Sequence, residues 1–119
     1  MKENIVKNKS FAFAIEVVNL YKSLTENKKE YVLSKQLLRS GTSVGAMVRE
    51  AEFAESKADF IHKLAIAQKE INEAIYLIEL LNKTNYISEI EFSKTNKMAI
   101  ELIKLITSIL KTAKQNIKR

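Results

Sequence analysis

The chain has no proline and only two glycines, Gly41 and Gly45. With so little turn punctuation, few and long helices are expected. No segment alternates apolar and polar residues between turn signals, so the fold class is all-α. Cysteine is absent too, which excludes a disulfide framework and thiolate chemistry and fits a reducing cytoplasm. No apolar run approaches the roughly 20 residues of a membrane helix. The polar, basic N-terminus is followed at 11–14 by an apolar run too short for a signal peptide. One cytoplasmic domain with no membrane partner is the expectation.

What is plentiful is positive charge. The net charge is +6 and the pI about 9.5, a balance that favours nucleic acid or another acidic partner. A lysine-rich solvated surface produces the same number.

Apolar periodicity divides the chain into a basic lead-in at 1–9, a bundle at 10–117 and a basic tail at 118–119. The lead-in is expected to be mobile unless a partner orders it. Ser10 is placed as the N-cap of a first helix running to about 24. That helix carries two apolar stripes: Phe11, Ala14, Val18 and Tyr21, and Phe13, Val17, Leu20 and Leu24. A charged turn at 25–29 leads to a second helix at about 30–55. Ser56 and Asp59 form a capping-box variant for a third helix to about 83. Its seam is Phe60, Leu64, Ala67, Ile71, Ala74, Ile78 and Leu81, a 4, 3 spacing. After a turn at 82–86, Ser88 and Glu91 cap a fourth helix, 89–116, with Ala99, Leu102, Ile106, Ile109 and Ala113 as its seam. Short connections predict an antiparallel up-down-up-down four-helix bundle. Every helix has a wide apolar face, which points to a homo-oligomer. The alternative is a generous core with scattered exposed apolar residues.

The second helix contains both glycines. Propensity alone breaks it at 40–43. However, Leu33, Leu37, Ser40, Val44, Met47, Ala51 and Ala54 keep an unbroken 4, 3 register across the glycines. One continuous helix is therefore expected, with Ser40, Gly41, Val44, Gly45 and Met47 as a thin waist for close packing.

Reaction chemistry is not evident. His62 is the only histidine; with Asp59 it supplies one half of a motif that di-iron bundles use twice. No metal or cofactor is expected. Glu50, Glu52, Glu70 and Glu73, set among Lys63 and Lys69, resemble a salt-bridged solvated face. The segment from Gly41 to Gly45 lacks the lysine of a phosphate loop. Binding is better supported than catalysis. Lys35, Arg39 and Arg49 on the second helix and Lys104, Lys111, Lys114, Lys118 and Arg119 on the fourth are candidate phosphate contacts. Part of the fourth-helix cluster complements the helix dipole. Tyr21, Tyr31, Tyr76 and Tyr86 are candidates for base stacking or for boundary packing.

Residues 39–51 (RSGTSVGAMVREA) and 56–70 (SKADFIHKLAIAQKE) resemble the four-helix-bundle family encoded in intervening sequences of bacterial 23S ribosomal RNA genes. The match continues through Ala74, Ile75, Tyr76, Leu80 and Leu81. The family is similar to the accessory protein of diversity-generating retroelements. The resemblance implies an antiparallel bundle assembled into a cyclic pentamer with basic surfaces, and association with RNA or DNA in the retroelement relative. Met47 stands where the family usually has asparagine, replacing a polar contact by apolar filling. A non-enzymatic oligomer binding structured RNA is the expected function. An oligomeric protein-interaction scaffold is the alternative.

Overall fold

The computed structural model describes residues 2–117, with side chains over 5–116. Four helices follow in order: α1 (Lys2–Glu26), α2 (Leu33–Glu52), α3 (Lys57–Lys83) and α4 (Glu89–Ile117). Each packs on the next, and α4 closes back on α1. The result is an antiparallel up-down-up-down bundle of 51 × 21 × 20 Å. The predicted seams of the third and fourth helices are its core. Leu64, Ala67, Ile71, Ala74, Ile78 and Leu81 of α3 are buried against Ala99, Leu102, Ile106, Ile109 and Ala113 of α4 and their counterparts on α1 and α2.

The N-terminus departs from expectation. Residues 2–9, placed in a mobile lead-in, belong to α1, and Ser10 is no cap. Val6, Ser10, Phe13, Val17, Leu20 and Leu24 form a 4, 3, 4, 3, 4 stripe, buried throughout. The small polar Ser10 hides the continuation of the Phe13–Leu24 stripe back to Val6 from a pattern search. Its hydroxyl donates to the Lys7 carbonyl at 3.0 Å, which satisfies it inside the helix. The other α1 stripe lies at the boundary: Ala14, Val18 and Tyr21 are half-buried and Phe11 is 54% exposed.

Helix α2 is also shorter than expected, because the residue taken as its first turn is its cap. Glu30 is buried, and its carboxylate accepts from the backbone N–H groups of Val32, Leu33 and Ser34 at 3.2, 3.0 and 2.7 Å. These are the donors that a helix start leaves unpaired. Burial alone would raise the Glu30 pKa, but the N–H groups of Leu33, Ser34 and Val32 outweigh it and hold the carboxyl below its ordinary 4.5. A depressed folded-state pKa adds stability above the unfolded value, and that stability is lost as pH falls through the folded value. Glu30→Gln should therefore cost about 1 kcal/mol at pH 7. In urea melts the difference should shrink as the pH drops below 4.5. An equal deficit at pH 7 and pH 3 would refute the capping role.

The remaining ends follow the sequence closely. Ser56 accepts from the Asp59 N–H at 3.0 Å, and Ser88 and Glu91 exchange bonds of 3.1 and 2.8 Å. The Asp59 carboxylate reaches one residue further back than a capping box, to the Glu55 N–H at 3.2 Å. Helix α3 ends with Asn85 in the left-handed region (φ 69°). The Tyr86 N–H meets the Leu81 carbonyl and the Asn85 N–H meets that of Asn82, the paired bonds of a Schellman end.

Candidate nucleic-acid interface

Helix α2 runs unbroken through Gly41 and Gly45. At Gly41 a Cβ would fall 2.7 and 2.9 Å from the two methyls of Val17, so α1 and α2 approach more closely there than any side chain allows. At Gly45 a Cβ would lie 3.5 Å from the Ser10 carbonyl oxygen, an ordinary contact. Ser40 and Val44 are fully buried, and Met47 is half-buried against the core.

The basic residues divide into engaged and free groups. Arg39 donates to Glu70 at 2.9 Å and to both oxygens of Glu73 at 2.8 and 2.7 Å. The bonds to Glu73 and then Glu70 raise its pKa. Its charge is matched twice over, which leaves little for a phosphate. Arg49 lies over the Phe11 ring, 5.3 Å from the centroid, a cation–π contact joining α2 to α1. Lys63 pairs with Glu50, Lys7 with Glu52, Lys9 with Glu101 and Lys94 with Glu16.

Lys35, Lys104, Lys111 and Lys114 are exposed and, among the described residues, have no ion pair. Lys97 belongs with them but was missed by the sequence argument, which started the basic cluster at Lys104. The available signal was spacing. Lys97, Lys104 and Lys111 repeat every seven residues, about 20° short of two full turns. They form one line on the side of α4 opposite its buried seam, about 21 Å long at 1.5 Å per residue. Lys104 and Lys111 border a shallow surface groove with Ile103, Thr107 and Ser108. Lys118 and Arg119 lie outside the described residues.

No cluster of three or more metal-ligating side chains occurs among the described residues. His62 is exposed. No described helix is long and apolar enough to cross a membrane.

A family model described as 23S rRNA-intervening sequence protein matches residues 2–108. The chain belongs to this family. A crystal structure of a protein of unknown function from the S23 ribosomal protein family of Bacteroides thetaiotaomicron is 55% identical. The match covers 93% of this chain and 99% of that one, with a TM-score of 0.92. No protein of curated function matches. The glycine-containing waist, the Arg39 ion pairs and the α4 lysine line all lie mostly or wholly inside the segment matching the 23S rRNA-intervening sequence proteins.

Proposed function

We propose that the protein is a non-enzymatic, homo-oligomeric bundle that binds structured RNA through the outer line of α4. The observation carrying this reading is the row Lys97, Lys104 and Lys111, exposed and without ion pairs among the described residues, on a helix whose neighbouring lysine Lys94 is neutralised by Glu16. Lys114, further along α4, adds to it. Membership of a family named for 23S rRNA intervening sequences supports RNA as the anionic partner. Self-association is supported by Phe11 and Ile15, 54% and 49% exposed one turn apart on α1. A ring, pentameric in this proposal, repeats the α4 line in each subunit and adds modest patches into one larger field.

The test is fluorescence anisotropy with an RNA helix between 50 and 200 mM salt. About six phosphate contacts across the assembly predict a loss of roughly 10³ in affinity over that range. No binding at 50 mM overturns the reading. Light scattering should give a multiple of 13.6 kDa, and a single-chain mass at micromolar concentration overturns the oligomer. The exposed α1 residues also favour a second reading, a scaffold that holds a protein partner. Retention of a partner after nuclease treatment, together with no direct RNA binding, would select it.

A further inference from the structure

The turn between α1 and α2 holds a second group of cations that the α4 reading does not use. Tyr31 is 58% exposed and Val32 66% exposed. They border a shallow groove of about 480 Å³ with Lys35, Gln36 and the stem of Arg39. Tyr31, like Tyr76 at 61%, is left open where Tyr21 and Tyr86 are half-buried, and Tyr31 shares its groove with a lysine. Lys35 shares the groove, and Lys28 and Lys29 precede Tyr31 in the chain by three and two residues; all three are exposed and without a carboxylate partner among the described residues. Lys29 donates only to the Glu26 backbone carbonyl, at 3.1 Å.

The acids of this turn do not cancel the field. Glu30 is turned inward, its carboxylate consumed by three backbone N–H groups. Arg39 and the two glutamates of α3 satisfy one another. Glu26, exposed at the end of α1, is the one open acid among residues 26–36. Lys35 beside the open ring, and Lys28 and Lys29 just before it in the chain, therefore carry ammonium groups unmatched by a carboxylate among the described residues. An aromatic face flanked by cations is the arrangement that holds a single-stranded nucleotide: the base stacks on the ring and the phosphates meet the ammonium groups. Inside a fully paired helix each base is already stacked on both faces, so only the terminal pairs leave a face open.

We propose that the α1–α2 turn is a binding site for an unpaired nucleotide of RNA, with Tyr31 as the stacking platform and Lys28, Lys29 and Lys35 as phosphate contacts. The proposal rests on the RNA-binding reading and adds a preference for hairpin loops or bulges over continuous duplex. Because Tyr31 is exposed and its backbone N–H and carbonyl serve no helix, Tyr31→Ala should melt as wild type does.

Anisotropy titrations would use two labelled RNAs of equal length, a hairpin with an unpaired loop and a blunt duplex. Tyr31→Ala should weaken hairpin binding about 5- to 100-fold, the range for losing one stacked base, and leave duplex binding unchanged. Tyr31→Phe should retain hairpin affinity, because the ring rather than the hydroxyl carries the stacking. The salt slope of Tyr31→Ala should match that of wild type, since no phosphate contact is removed. Wild-type hairpin affinity in Tyr31→Ala, or equal losses on both RNAs, overturns the turn site. Neutralising the α4 lysines while hairpin binding survives sinks the α4 reading and leaves the turn site standing. Absence of binding to either RNA by the wild-type protein overturns both.

Discussion

Gly41→Leu should destabilise the protein by about 3 kcal/mol, near the upper end of what overfilling a packed site costs. The Cβ alone would stand 2.7 Å from a Val17 methyl. Valine is branched at Cβ and fixed at χ1, so it cannot swing aside as the end of a long side chain would. Alanine at the same position trades a helix-propensity gain of about 1 kcal/mol against that overlap, and a smaller net loss is expected. Gly45→Ala should behave oppositely. Its Cβ would make an ordinary 3.5 Å contact with the Ser10 carbonyl, so the propensity gain survives as a stabilisation of about 0.5–1 kcal/mol. Val17→Ala should rescue Gly41→Ala, with a coupling energy of about 1 kcal/mol in a double-mutant cycle. Urea denaturation midpoints decide all five variants, the double variant included. Wild-type stability in Gly41→Leu would mean that α1 and α2 are not held together at this point.

That contrast shows how far the sequence carries. The unbroken 4, 3 stripe across Gly41 and Gly45 was enough to place one helix through two poor helix formers. It could not distinguish the two glycines, because the distinction lies in what α1 presents opposite them: the branched Val17 in one case and a backbone carbonyl at Ser10 in the other. Ser56, Ser88 and the α3 and α4 seams were legible because capping and burial there depend on local spacing. Ser10 and Glu30 were not. A buried serine that bonds its own helix looks like a cap, and a glutamate capping through three N–H groups looks like a first helical residue. The basic residues were visible as a list, but their availability was not. Whether Arg39 is free depends on Glu70 and Glu73, more than thirty positions away on another helix.

Reversing Lys97, Lys104 and Lys111 together to glutamate should lower RNA affinity by at least 10² to 10³ near 0.1 M salt. Each phosphate contact of the counterion-release kind is worth roughly an eightfold factor there, and three are removed at once. All three side chains are exposed and, among the described residues, without ion pairs, so the fold should survive, as a thermal melt would confirm. Arg39→Glu is the control. It loses the pairs to Glu70 and Glu73, which are worth about 1 kcal/mol or less each at an exposed site. RNA affinity should change far less than in the triple variant, because the guanidinium was already occupied. The triple variant changes net charge by −6 and Arg39→Glu by −2, so a loss in log affinity for Arg39→Glu about one third that of the triple variant would point to overall charge rather than to the α4 line.

The most direct measurement is the difference in salt slope between wild type and a neutral Lys97→Ser, Lys104→Ser, Lys111→Ser variant on one structured RNA. If these lysines meet phosphates, the plot of log affinity against log salt becomes shallower by about 2–3 for one occupied line. An unchanged slope, with affinity intact, would contradict α4 as the RNA-binding surface.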